Sequence, residues 1–176
     1  MIYLISYPRS GNTATRYIIE MLTHKPTNGL IGPPNSKDNL QMPLIHKESD
    51  DYVLHKQHDF RGVKTDDFVL FLIRDPLECV IRHNEKIRGI AEHQMVGYLK
   101  SWFSLLDSYD SFKGNKMIFY YDELMKVADR TSLGMYRNPQ SDGPHYHKAK
   151  LGNYLSDKLE KHMEEEYSEL YNKYLR

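Results

Sequence analysis

The chain has 176 residues, enough for one domain with a sound core, and its 24 lysines and arginines balance 24 aspartates and glutamates. That balance, with nine histidines aside, argues against a general nucleic-acid or membrane-surface role while permitting a local basic cleft. The single Cys79 excludes an intrachain disulfide, and no stretch approaches the roughly 20 apolar residues of a membrane span, so a cytoplasmic chain without a signal peptide is expected.

Residues 1–7, MIYLISY, form an apolar run that predicts a buried strand. A Ser-Gly-Asn-Thr turn follows, and residues 12–24 have helical periodicity with an expected apolar face of Ile18, Ile19, Met21 and Leu22. Strand, tight turn and helix N-terminus in immediate succession cradle phosphate in many α/β proteins. The pattern G-x-x-x-x-G-K-[ST] is not present, since Arg9 precedes the turn and no lysine follows Gly11. The N–H groups of Gly11, Asn12 and Thr13 and the hydroxyls of Ser10 and Thr13 are expected to wrap a tetrahedral anion. The helix dipole adds about half a positive charge there, and Arg9 reaches over the anion from outside. The plainer alternative is a strand-to-helix turn with Ser10 as a simple cap.

From Lys25 to Asp50 the chain is rich in Pro, Gly and Asn without clear periodicity, the composition of a binding loop or lid. DYVLHKQ, 51–57, reads as a short strand. In an extended segment Lys56 and His58 share one face, with His55 and Gln57 on the other. DDFVLFLIRDP, 66–76, is the strongest strand, apolar on both faces and therefore central and parallel. In the following RDPLECVIRH, Asp75 is an N-cap, Pro76 takes N1 and Glu78 closes a capping box. Residues 91–112 predict a long amphipathic helix, and 115–124 a buried strand running into a short helix. Residues 127–153 have no regular pattern, and 154–175 predict a surface helix.

Strands alternating with helices predict one α/β domain over residues 1–176, a three-layer sandwich with a parallel sheet of four to five strands and a P-loop-like first turn. Ligands in such sheets bind at the carboxyl ends of the strands, where Tyr7, Arg74 and Tyr121 fall, with Lys56 and His58 at a fourth end.

Several of these segments carry a resemblance. YPRSGNTATR is similar to the 5′-phosphosulfate loop of sulfotransferases that use 3′-phosphoadenosine 5′-phosphosulfate (PAPS), usually Tyr-Pro-Lys-Ser-Gly-Thr-Thr-Trp. FLIRDPLECVIRH resembles their 3′-phosphate segment, and LHKQHDF the Lys-Thr-His segment that carries the catalytic base. FYYDEL, TSLGM and HKAKLGNYL resemble the Tyr-Glu-Asp-Leu, Thr-Ser-Phe and Arg-Lys-Gly-x-x-Gly-Asp-Trp stretches of the same family. The six lie in family order along nearly the whole chain.

The resemblance implies PAPS as donor, a hydroxyl acceptor, His58 as general base, and Lys56 and Arg9 stabilising the departing bridging oxygen. It further implies donor contacts from Arg9, Ser10, Gly11, Asn12, Thr13, Arg74, Arg82, Tyr121, Thr131, Leu133, His147 and Lys148. His46 and His55 rival His58 as the base. Arg74 has the alternative of pairing with an acidic neighbour, Arg82 that of an i,i+4 pair with Glu78, and Tyr121 that of a core tyrosine. Arg9 replaces the family lysine, Ala14 its tryptophan, Leu133 its phenylalanine, and Arg82 its serine.

Metal sites at His145 and His147 or at His55 and His58 are set aside, because these pairs lack a carboxylate or cysteine partner and sulfuryl transfer needs no metal. The chain is short beside the family, so an open cleft is expected for a small molecule, glycan, lipid headgroup or protein acceptor, or a second subunit completes the site. Two rivals stand beside the transferase. A nucleotide kinase would need the missing Lys-Ser/Thr, whereas a non-catalytic binder of adenosine 3′,5′-bisphosphate would need no turnover.

Overall fold

The computed structural model describes residues 1–29, 51–84, 92–130 and 153–175. Its strands are β1 (Ile2–Ile5), β2 (Thr27–Asn28), β3 (Leu54–Gln57), β4 (Phe68–Ile73) and β5 (Asn115–Tyr120). Its helices are α1 (Asn12–Thr23), α2 (Pro76–Asn84), α3 (Glu92–Ser111), α4 (Tyr121–Arg130), α5 (Asn153–Glu166) and α6 (Ser168–Tyr174). All five strands are parallel, in the order β2-β3-β1-β4-β5. The expected α/β sandwich is therefore the fold this chain adopts.

The alternation of side chains along β1 and β4 builds the two cores. Tyr3 and Ile5 share one face with Val69, Phe71 and Ile73, packed by Leu77 and Val80 of α2, Leu99, Trp102 and Leu106 of α3, and Leu159 and Met163 of α5. Leu4, Leu54 and Leu72 face the other way, against Ala14 of α1 and Tyr121 of α4. Each such leucine, withdrawn from water, contributes about 2 kcal/mol before entropy is counted.

From β1 the chain moves to the β2–β3 side, then crosses back to β4 on the opposite flank of β1. The switch point thus lies between β1 and β4, and their carboxyl ends open the crevice where such sheets receive ligands. Tyr3 pairs with Val69 and Leu4 with Leu70, which sets the segment after Ile5 beside the segment after Ile73.

Four expectations are corrected. The buried side of α1 keeps only part of the predicted apolar stripe: Ile18 is buried and Ile19 packs on the core, but Leu22 is 61% exposed while Arg16 and Glu20 are buried, because α1 anchors β2 through Thr27. β2 itself lies in a stretch read as patternless. β5 is the sheet edge and only half-buried, with Met117 48% exposed. The C-terminal helix breaks at Tyr167 into α5 and α6, and is a packing layer as well as a surface, with Leu159 and Met163 in the core. Among the described residues, no helix is long and apolar enough to cross a membrane.

Candidate functional site

The turn between β1 and α1 is held by backbone geometry. Arg9 (φ 70°) and Gly11 (φ 98°) both occupy positive φ, and Ser10 N donates to Tyr7 O at 3.2 Å. Gly11 is required twice over, since a Cβ there would lie 2.3 Å from Tyr121 Cε2. No side chain among the described residues caps α1. The first N–H groups of a helix have no intrahelical acceptor, so this end offers donors and the positive pole of the dipole to an anion.

Ser10 is wholly buried, its Oγ 3.3 Å from Cys79 Sγ on α2, so it does not serve as the cap of the plainer alternative. Burial pushes the Cys79 thiol up to about 12, so it stays protonated and shares one hydrogen with Ser10. Asn12 Nδ2 donates to Ser6 Oγ, and its Oδ1 is buried with no partner among the described residues. Thr13 is partly exposed on the first turn of α1 and Arg9 is exposed beside it.

Across the crevice stands Arg74, at the end of β4. Its Nε and Nη2 reach Glu78 Oε2 and Oε1 at 2.9 and 2.6 Å, and its Nη1 reaches Arg9 O at 3.4 Å. Burial opposes the charge, but the hydrogen bonds and charge of Glu78, with smaller contributions from Tyr121 and Cys79, together outweigh it and raise the pKa of Arg74. Arg82 Nε also binds Glu78 Oε1, at 2.9 Å. Both acidic-partner alternatives are therefore realised, and the three side chains sum to one positive charge. Glu78 does not close the expected capping box, because its carboxylate is taken by the arginines; Asp75 does cap α2, accepting from Glu78 N at 2.9 Å. Tyr121 is buried, with the Arg74 guanidinium 4.2 Å from its ring centroid and Gly11 against its edge, so its ring contacts are with the protein itself.

His58 follows β3 directly and is exposed. Its Nδ1 lies 2.6 Å from the carbonyl oxygen of Ser6, at the root of the turn. A carbonyl only accepts, so Nδ1 carries the hydrogen and Nε2 presents a lone pair. Desolvation lowers the pKa of His58; the Ser6 contact opposes this and Lys56 adds to it. Lys56 has its own pKa lowered, by burial and then by Arg16. His55 is on the opposite face, its ring against Tyr3 and its Nδ1 3.0 Å from Asn28 Nδ2.

The turn, Arg74, Lys56 and His58 thus lie at neighbouring carboxyl ends of one sheet. Thr131, Leu133, His147, Lys148 and His46 lie outside the described residues. Next to Arg74, at the ends of β4 and β5, a cavity of about 220 Å³ is lined by Tyr120, Tyr121, Asp122, Glu160 and Tyr174 among others.

Two residues near this region escape a reading by sequence. His83, in the last turn of α2, has its ring 6.0 Å from that of Tyr7 and 5.7 Å from that of Tyr98; burial and then the charge of Arg9 lower its pKa. The available signal was its i,i+4 spacing from Cys79, which turns both toward the first loop. Arg16 gave no signal, since a cation at that helix position reads as solvent-facing.

No family model matches the chain, and no curated protein matches it.

Proposed function

We propose that the chain transfers a sulfuryl group from PAPS to a hydroxyl acceptor. The observation that carries this reading is the fixed imidazole: His58 is oriented by the Ser6 carbonyl at the root of the uncapped turn that would hold the 5′ end of the donor. The acceptor hydroxyl gives its proton to His58 Nε2 as its oxygen attacks sulfur in line. The bond from sulfur to the bridging phosphate oxygen breaks, and adenosine 3′,5′-bisphosphate leaves. Arg9 and Lys56 stabilise the charge that gathers on that oxygen, and positioning supplies much of the remaining rate. Arg74, with Arg82, is the candidate for the 3′-phosphate. The buried thiol of Cys79 suits a reducing cytoplasm.

Calorimetric binding of adenosine 3′,5′-bisphosphate, against ADP and AMP, tests the reading. Preference for the bisphosphate that is lost in Arg74→Ala supports it, and no preference overturns it in favour of Mg²⁺-dependent kinase chemistry.

A further inference from the structure

The cavity beside Arg74 lies between the carboxyl ends of β4 and β5 and the helices α5 and α6. Its volume of about 220 Å³ has room for about seven waters, enough for a small organic molecule. Ile73, Leu77, Met163 and Leu175 supply apolar walls, and Asp75, Asp122 and Glu160 bring three carboxylates. Asp75 and Asp122 are exposed, so their carboxylates stand where the cavity meets solvent. The interior is apolar and the rim is acidic.

Arg74 is the one cation among the lining residues, and with Arg82 and Glu78 it leaves a single positive charge. The N-termini of α2 and α4 add about half a charge each. Three carboxylates outweigh these, so the cavity is negative and selects a cation. Its tyrosine rings suit the same ligand. The Arg74 guanidinium lies 4.2 Å from the Tyr121 ring centroid and Lys173 Nζ 5.1 Å from that of Tyr174, while Tyr120 carries no such cation among the described residues. Tyr121 is 7% exposed, and its hydroxyl has no hydrogen-bond partner among the described residues. A buried phenol usually has one, so this oxygen calls for a ligand atom.

We propose that this cavity binds a primary alkylammonium ion, its alkyl stem among the apolar walls and its head at the acidic rim. An ammonium has three N–H donors, which the carboxylates of Asp75 and Asp122 and the Tyr121 hydroxyl accept. The stem covers apolar surface that water would otherwise wet. The site stands apart from the transfer reading. Tyr121, which rests on Gly11, separates the cavity from the anion turn, and His58 follows β3, at another strand end.

The test follows the aromatic ¹H–¹³C resonances of Tyr120 and Tyr121 in the full chain at constant salt. The probe is n-butylammonium, and its control is n-butanol, of the same length without the charge. Nα-acetyl-lysine methylamide is titrated separately, which distinguishes a free amine from a lysine side chain. A saturable shift in the millimolar range is expected for at least one ammonium, with n-butanol weaker by about tenfold or more. Asp122→Asn should weaken the response about tenfold. Asp66→Asn, the same charge change at the other end of β4, should leave it unchanged. Both variants replace exposed side chains with others of equal size, so the fold is kept. Unmoved tyrosines overturn the site, and so does equal binding of n-butanol. Equal responses in the two variants overturn it too, whether both weaken or neither does. If adenosine moves these tyrosines and no ammonium does, the cavity is a base pocket and the proposal falls.

Discussion

Arg74 and Glu78, one turn apart at the mouth of the crevice, are joined by two hydrogen bonds of 2.9 and 2.6 Å, with Arg82 on the same carboxylate. The carboxylate occupies the guanidinium face that a phosphate would use. Glu78→Gln keeps an acceptor and removes the competing charge, so the bisphosphate should bind about tenfold more tightly. The same change leaves two poorly compensated buried cations and should cost about 3 kcal/mol of stability. Calorimetry and urea unfolding measure the two effects. Weaker binding instead would mean that Glu78 aligns Arg74 for its ligand.

His58→Ala should abolish transfer while bisphosphate affinity stays unchanged, because the imidazole is assigned to the acceptor's proton and not to the nucleotide. Its pH profile has a defined sign. Desolvation, aided by Lys56 and opposed by the Ser6 contact, lowers the His58 pKa below the ordinary 6.5. The neutral base therefore persists into mildly acidic solution. Single-turnover rates should be flat at neutral pH and fall on acidification only below that ordinary value. A fall beginning above neutrality would remove His58 from the role.

Gly11→Ala drives a methyl group into the Tyr121 ring at a positive φ. The turn must shift or the ring must move, at about 2 kcal/mol in stability. Because the same turn presents the donors of α1, bisphosphate binding should be lost as well. Near-native affinity in a folded Gly11→Ala protein would exclude the turn as the anion cradle.

Arg16→Met removes both bonds to Thr27 and a cation that faces Glu20 electrostatically. Thr27 N and Oγ1 still donate to Glu20 Oε1, but that buried carboxylate loses the charge of Arg16. A loss of about 3 kcal/mol is expected in urea unfolding. Wild-type stability would show that the buried guanidinium only breaks even with an apolar chain of similar volume.

The regular elements were largely legible in order and type. An apolar run long enough for both faces of a sheet predicts β4, and the Asp75-Pro76 pair marks the start of α2. The turn before α1 was legible too, because a glycine between strand and helix signals positive φ. Such signals are local, carried by periodicity and by backbone preference within a few residues. They sufficed for the α/β class and for setting Arg9, Lys56, His58 and Arg74 at strand ends.

Only the tertiary structure decided what each polar group near those ends touches. Ser10 meets Cys79 across 69 residues, and His58 meets Ser6 across 52. Glu78 had two local choices, a capping box or an arginine pair, and burial beside Arg74 selected the pair. Arg16 reads as an exposed cation until β2 is laid under α1, and β5 reads as buried until the strand order makes it an edge. The reason is common to all of them. Strand order determines which distant groups lose water together, and a group that loses water takes the partner left within reach.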